Sequence, residues 1–459
     1  MNDLRCLLCT HHLLDYSGSE VVVLELAEEL LQRGCHVSLF SPFQNDQFLA
    51  AAVPSGVAII PHSTGIDLRQ FDLVYCQHQS ISPMLAAQDL GYLLSTSRPV
   101  FVYNHLSPIE PFEAPGPFAE KCFADIIMCN SAETQQSLAR FGTSFENATI
   151  FPNPAPIRFS ATPRPRSTGV SRLISVSNHI PEELSGAFEI LEAEGVVITR
   201  IGRGSGQKKL ELEDLTANDA VVTIGKTVQY AIRAKLPIFC YDRFAGPGWL
   251  TEGNFDSAAF RNFSGRCSQK ARTPEELSRE IREGLSGAKV FSYVPEHYCL
   301  EKMVDQIIRS VRACAEARVP IKMQPKDIMG PLEIEKSIYR LVDREYKNKK
   351  AAIDANASRT GKLERHLEAA MSQVKLLQET QVASEKERNR EFLELKRNLL
   401  DARLRPMKSL RRKWMSQLMY FLSKRERFFF ERQRKKFHAL AQKRDPRRDD
   451  IASHRKRLD

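Results

Sequence analysis

Three residues stand where an α/β protein would keep its chemistry. His78 follows an apolar run at Leu73–Cys76, and His105 follows another at Val100–Tyr103 in the string Tyr-Asn-His-Leu-Ser-Pro. An imidazole at a strand end can donate a hydrogen bond or carry a proton near neutral pH. A lone histidine more often serves structure, and two in matching positions make a functional role for one of them an equal alternative. Lys226 lies in Ile224-Gly225-Lys226-Thr227, between a run at Ala220–Thr223 and an amphipathic segment. A glycine turn, a cation and the amides that open a helix together suit a diphosphate. The plainer reading is a tight turn with Thr227 as N-cap. It is not a P-loop, because Ala220 occupies the place of that motif's upstream glycine. Gly202-Arg203-Gly204-Ser205-Gly206 and Ser17-Gly18-Ser19-Glu20 are two further glycine turns at expected strand ends. Either lets a backbone approach a ligand, and either is equally plain turn chemistry. Cys6, Cys9, His11 and His12 cluster in sequence, but their spacing fits no standard zinc finger. No metal is expected.

These turns need a scaffold, and the apolar pattern supplies one. Short apolar, β-branched runs at Leu4–Cys9, Cys35–Phe40, Ala58–Ile60, Leu73–Cys76, Val100–Tyr103, Ile126–Cys129 and Thr149–Phe151 read as strands buried on both faces. A helix from Ser17 to Arg33 sits between the first two, with Val23, Leu26, Ala27 and Leu30 on one face. Residues 152–170 are rich in Pro, Ser and Thr, as linkers are. The alternation then restarts with strands at Leu173–Val176, Val196–Ile201, Ala220–Thr223 and Pro237–Tyr241. Helices are expected at Glu182–Glu192, Thr227–Ala234, Pro274–Leu285 (Thr273 as N-cap) and Glu296–Ala315. Strands alternating with helices imply a doubly wound parallel sheet. The expectation is therefore two Rossmann-like α/β domains, 1–155 and 171–325, joined by a linker at 156–170.

The remainder is different in kind. From Leu332 to Arg405 there is no proline and one glycine, and Leu363, Leu367, Ala370, Val374 and Leu377 keep the 4-3 spacing of a coiled-coil seam. Residues 332–405 are expected to be helical and could join copies of the chain. The tail 406–459 mixes basic clusters with Trp414, Leu418, Phe421 and Phe428–Phe430. Residues 400–459 hold 20 Lys and Arg against 7 Asp and Glu, a net +13 in a chain of net +10, so residues 1–399 sum to −3. A polyanion partner would meet the tail and not the α/β body. That argues against nucleic acid and is compatible with an amphipathic helix on an anionic membrane surface, or with a solvated or oligomerising helix. No secretory signal and no membrane-spanning run is read, and the ten cysteines show no disulfide framework, so a cytoplasmic setting is expected, with a peripheral position on the membrane's inner face as a variant of it.

In order and spacing, the segments resemble the GT-B fold retaining glycosyltransferases, the large group often called family 4. Ser17-Gly18-Ser19-Glu20 followed by LAEELLQRGCHVSLF is similar to the group's Gly-Gly-x-Glu loop, helix and second strand. FDLVYCQHQ and VFVYNHLSP look like its two histidine-bearing strand ends. ADIIMCNSAETQQSLARFGTSFENATIFPNP resembles its end-of-domain signature, and AVVTIGKTVQYAIRAKLPIFCYD its donor-binding strand–helix–strand. The likeness covers residues 1 to about 315. It implies two domains facing across a cleft and transfer of a sugar from a nucleotide-sugar to a glycan or lipid-linked acceptor, with no cofactor and no required metal. By the resemblance, Gly18 lies under the donor diphosphate and His105 near the transferred sugar. Lys226, Thr227 and Arg203 meet phosphate, Tyr230 and Asp242 lie near the nucleotide or sugar, and Ser17, Glu20 and His78 face the cleft or the acceptor.

The chain departs from the family where the donor should bind. The family's Glu pair is missing: no Glu occurs between Asp219 and Asp242, and Tyr230 holds the second position. The basic residues after the first strand of the second domain are replaced by Ser177-Asn178-His179-Ile180-Pro181. Arg200, Arg203 or Lys226 would have to supply the charge a diphosphate needs. A chain that only binds a nucleotide-sugar or glycan and serves as a coiled-coil scaffold is the alternative. A sugar-nucleotide epimerase, which shares the fold, is a further one.

Overall fold

The computed structural model describes residues 3–351, apart from 62–64, 78–80, 109–114, 117, 143–146, 163–170, 179, 203–207, 269, 288–294, 342–343, 346 and 349–350. His78, Arg203, the seam at 363–377 and the tail 406–459 lie outside the described residues. Of two compact units, Met1–Asp343 and Arg344–Asp459, the first holds both large sheets.

The first domain is a seven-stranded sheet in the order β5-β3-β1-β6-β7-β8-β9. These strands are β1 (Arg5–Cys9), β3 (His36–Phe40), β5 (Ala58–Ile60), β6 (Leu73–Gln77), β7 (Val100–His105), β8 (Ile126–Cys129) and β9 (Thr149–Ile150). Every pairing is parallel. Two short strands, β2 (His12–Leu13) and β4 (Phe43–Gln44), form a separate parallel pair. Central strands β6 and β7 are buried at every residue, which is what a sheet covered on both faces requires. Period-two alternation divides the side chains of β1: Cys6 and Leu8 join one core, Leu7 and Cys9 the other.

The second domain is a five-stranded sheet, β11-β10-β12-β13-β14. Its strands are β10 (Arg172–Val176), β11 (Val197–Ile201), β12 (Ala220–Thr223), β13 (Ile238–Asp242) and β14 (Ala245–Trp249). The first four run parallel, and β14 returns antiparallel on β13. The sequence pattern missed β14 because Ala-Gly-Pro-Gly-Trp carries turn residues and no β-branched side chain. Edge strand β11 alternates exposed and half-buried residues, as a border strand does.

Six helices matter for the site: α1 (Gly18–Gln32), α2 (Ala132–Ala139), α3 (Glu182–Ala193), α4 (Lys226–Arg233), α5 (Pro274–Gly287) and α6 (Leu300–Ala317). Thr273 caps α5 as expected: its hydroxyl accepts from the Glu276 amide at 3.2 Å, and Glu276 accepts from the Thr273 amide at 2.9 Å. Helix α6 corrects the expected domain limits. Its apolar face (Leu300, Met303, Val304, Ile307, Ile308, Val311) is buried in the core of the first domain, against α1, and not in the second. Arg33 of α1 fixes it there through Asp305 at 2.7 Å and the Glu301 carbonyl at 2.6 Å. Periodicity reveals that a helix has an apolar face but not which sheet that face will cover.

The chain thus crosses between domains twice, and the crossings are bonded to each other. The Ala155 amide donates to the Tyr298 carbonyl, and the Leu300 amide to the Ala155 carbonyl, each at 2.9 Å. Beyond α6, the helix over 325–341 packs on the first domain through Ile328 and Leu332. Its Glu335 accepts from the amides of Phe118 and Ala119 at 2.9 and 2.8 Å, capping the short helix Ala119–Phe123. The first turns of the segment expected at 332–405 therefore belong to the α/β body. Two Rossmann-like domains facing across a cleft, joined by a double crossing, are the GT-B arrangement.

Candidate functional site

A cavity of about 600 Å³ lies between the two domains. Part of its lining falls just after strand ends. Leu106–Pro108 follow β7, Ser177 and Asn178 follow β10, Gly202 follows β11, Gly225 follows β12, and Asp242–Phe244 span the end of β13. This is the position where open parallel sheets bind ligands, because strand carboxyl ends and helix amino ends converge there. Tyr16, Ser17 and Gly18 close it from the first domain.

Gly18 begins α1, and a Cβ built on it would meet nothing within 4 Å. Neither packing nor a left-handed φ demands glycine here, so the backbone presents a bare surface to the cleft. Ser17 occupies the N-cap position without capping, because its hydroxyl donates to the Glu20 carboxylate instead. Ser19 Oγ donates to the same carboxylate at 2.7 Å. Glu20 is 3% exposed. Burial pushes its carboxyl above the usual carboxylate range, and the two hydroxyls offset this only in part.

The floor of the cleft is ionic. Glu25 of α1 is 3% exposed. Its carboxylate receives Lys226 Nζ at 2.7 Å, the Tyr230 hydroxyl at 2.8 Å and an Arg158 amino group at 2.5 Å. Arg158 also reaches Glu28 at 2.7 Å. Lys226 donates further to the carbonyls of Pro154 at 2.6 Å and Asn153 at 3.1 Å. Burial lowers the Lys226 pKa, while the Glu25 carboxylate pulls the other way. Tyr230 stacks on Phe159 with ring centroids 4.0 Å apart, and its pKa is pushed well up, first by burial and then by Glu25.

The same face of α4 continues the pattern. Gln229 donates to the Pro152 carbonyl at 2.9 Å, and Arg233 to the Ala155 carbonyl at 2.8 Å and to Glu301. Residues 226, 229, 230 and 233 lie on one side of a 3.6-residue helix, and together they grip the crossing at 152–160. Lys226 and Tyr230, expected to meet the donor, line the cleft but spend their polar groups on the other domain. Thr227 lines the cleft as well. It is not the N-cap; Gly225, with φ of 58°, is.

The other expected residues divide similarly. His105 is 3% exposed, with Nε2 2.7 Å from the Glu120 carboxylate. It stands behind the cleft wall, which the following residues Leu106–Pro108 form. Asp242 reaches the cleft but holds its own loops: its carboxylate accepts from the Phe244 amide at 2.7 Å and from Ser264 Oγ and the Gly265 amide at 3.2 Å each. Arg200 forms a two-point pair with Glu192 at 2.6 and 2.9 Å and lies off the lining. No three or more His, Cys, Asp or Glu side chains gather among the described residues as metal ligands. The Cys6, Cys9, His11, His12 string forms no such group, and all ten cysteines are free. No helix among the described residues is long and apolar enough to cross a membrane.

Residues 16–159, the cleft-forming part of the first domain, match the family described as Glycosyltransferase Family 4. The first domain is a family 4 glycosyltransferase domain. No curated protein matches the chain in sequence. Solved structures resemble it at low identity. Anabaena HepE in complex with UDP-glucose is 13% identical, with 62% of this chain and 99% of that one aligned at a TM-score of 0.40. MurG of Acinetobacter baumannii is 12% identical over 67% and 99%, at 0.40. A Listeria monocytogenes protein named as a UDP-N-acetylglucosamine 2-epimerase is 14% identical over 70% and 99%, at 0.41. The GT-B fold itself rests on strand order and on the cleft between the two sheets.

The sequence alone did not point to the charged residues that line the cleft, Glu25, Arg158, Arg243, Arg261 and Arg266, nor to Glu133, which pairs with two of them. One signal was available for Arg243, which directly follows the end of β13. None was available for Glu25, a charge placed between two apolar positions of α1.

Proposed function

We propose that the chain transfers a sugar from a nucleotide-sugar to the hydroxyl of a glycan or lipid-linked acceptor, in the making of a cell-surface polysaccharide. The observation that supports this best is the interdomain cleft with Gly18 bare at its edge. A bulky activated sugar needs a bed at strand ends, and it needs backbone it can approach closely. Gly18 and the turn before Thr227 offer that bed from opposite domains. His105, Asp242 and Glu20 then act from behind, holding the walls against which the sugar is oriented. In this reading the reaction uses no resident metal, and 406–459 rests on an anionic membrane surface where lipid-linked acceptors lie.

A second reading is favoured by the ion network: Lys226 and Tyr230 are committed to Glu25, so the chain binds a nucleotide-sugar or glycan without turning it over. One experiment separates the two. The full-length protein is offered UDP-, GDP-, ADP- and CMP-sugars, with and without a chelator, and both melting temperature and nucleotide release are followed. Release that survives the chelator supports the transferase. A melting shift without release supports binding alone. Release without any acceptor, with epimerised sugar left behind, would point to an epimerase. Neither shift nor release would overturn all of these.

A further inference from the structure

The cleft's second charged cluster differs from its floor. Arg243 follows β13, and Arg261 and Arg266 flank the turn Asn262–Gly265 of the same domain; all three line the cleft. Arg243 and Arg266 lie against the same ring, with guanidinium carbons 4.8 and 5.8 Å from the centre of Phe244. Arg261 and Arg266 converge on Glu133 of α2, a carboxylate of the other domain, at 2.9 and 2.6 Å. Arg243 is exposed and pairs with no carboxylate among the described residues. Two guanidinium groups thus share one carboxylate and the third stands apart from it, so that with Asp242 counted this end of the cleft keeps one formal positive charge in excess.

The backbone holds these arginines firmly. Asn262 and Phe263 both take left-handed φ, 50° and 57°. A Cβ on Gly265 would strike the Ala245 carbonyl at 1.8 Å and Asp242 Oδ1 at 2.4 Å, so the turn is pressed against the β13–β14 hairpin. Asp242 bonds both loops, through Phe244 on one side and Ser264 and Gly265 on the other. Held arginine forks with surplus charge match oxyanions bidentately. The floor cannot serve that purpose, since Lys226 and Arg158 are already neutralised by Glu25 and Glu28.

We infer that Arg243, Arg261 and Arg266 bind the diphosphate of the activated sugar, and that Glu133 is the carboxylate with which this diphosphate competes. The inference rests on the transferase or nucleotide-sugar-binding reading above and supplies the cations that reading lacks. Asp242 is then a positioning residue, setting the two arginine loops at one spacing. Because Glu133 and the ligand compete for the same guanidinium groups, removing its charge must tighten binding.

The test is calorimetric titration of the full-length protein with UDP, GDP, ADP and CMP, and with inorganic pyrophosphate, on wild type and on Arg243→Ala, Arg266→Ala, Arg266→Lys and Glu133→Gln. For the nucleotide that binds wild type, the two alanine variants are expected to weaken it at least about tenfold, since each removes a charge-assisted pair. Arg266→Lys keeps a charge and guards against misfolding; it should weaken binding less than Arg266→Ala. Glu133→Gln should tighten binding severalfold, a sign that a merely structural role for Glu133 would not give. Nucleotide binding unchanged in the arginine variants, or weakened in Glu133→Gln, overturns the inference and leaves the donor reading standing. Arginine-dependent pyrophosphate binding with arginine-independent nucleotide binding assigns the cluster to a phosphate on the acceptor, and so also overturns it. If wild type binds no nucleotide but binds pyrophosphate through the arginines, the donor reading fails. If it binds neither, both fail.

Discussion

Two carboxylates reach from the first domain to cations of the second, and they are built for different ends. Glu25 at the cleft floor is 3% exposed, with an ammonium, a phenol and a guanidinium on its oxygens. Glu133 at the other cluster has a side chain 17% exposed, and its two arginine partners are 35% and 22% exposed. At the floor the Glu25 carboxylate and the Lys226 ammonium are dry and paired, and only Arg158 and Glu28 at its margin meet water. At Glu133 water reaches the pair, and positive charge is left over. A dry, saturated network fixes geometry, because breaking it strands a buried charge. A wet, unsaturated one can exchange partners at little cost. The floor therefore sets how the domains face each other, and the arginine cluster is the part able to respond to a ligand.

Breaking the floor should cost most. Glu25→Ala leaves a buried ammonium with only two carbonyls and should lower unfolding free energy by about 3–5 kcal/mol in urea denaturation. A loss below about 1 kcal/mol would place the floor in the same class as an exposed pair. Next comes Tyr230→Phe, which deletes one hydroxyl from Glu25 but leaves the stack on Phe159. A loss of about 1.5 kcal/mol is expected, the net worth of a bond to a charged group.

Glu20 gives a pH signature at the cleft edge. Its folded pKa is raised, so its contribution to stability is fully present below the unfolded value, about pH 4, and is lost as pH rises through the folded value. Glu20→Gln removes that loss. It should melt higher than wild type at pH 7, with the two converging as pH falls toward 4, as read by thermal melts across pH. A gap that widens on acidification would reverse the sign of the assignment.

The smallest effects on stability sharpen the contrast. Glu133→Gln should change unfolding free energy by less than about 1 kcal/mol, as partly exposed pairs do. Gly18→Val should change it by less still, within about 0.5 kcal/mol, because a Cβ at this position meets no protein atom within 4 Å. The same variant should nevertheless lose nucleotide binding by titration, since its side chain fills the cleft edge. Retained binding in Gly18→Val would remove Gly18 from the site.

By itself the sequence determined the local elements. Apolar, β-branched runs of four to six residues can be satisfied only as strands covered on both faces, so nearly every strand of both sheets was legible, as was the capping box at Thr273 and Glu276. The glycine turn before Lys226 was legible too, because Gly225 passes from β12 to α4 with a left-handed φ that other residues rarely take. Only the tertiary structure decided which charges that turn would meet. Lys226 read as a cation for phosphate, and became a buried partner of Glu25, because the α1 that carries Glu25 packs from the other domain. Helix α6 read as part of the second domain and was buried in the first. Charge pairs form between residues 128 to 201 positions apart, such as Glu25 with Arg158 and Lys226 or Glu133 with Arg261. No period or motif along the chain encodes such a meeting; it exists only once two sheets have been set face to face.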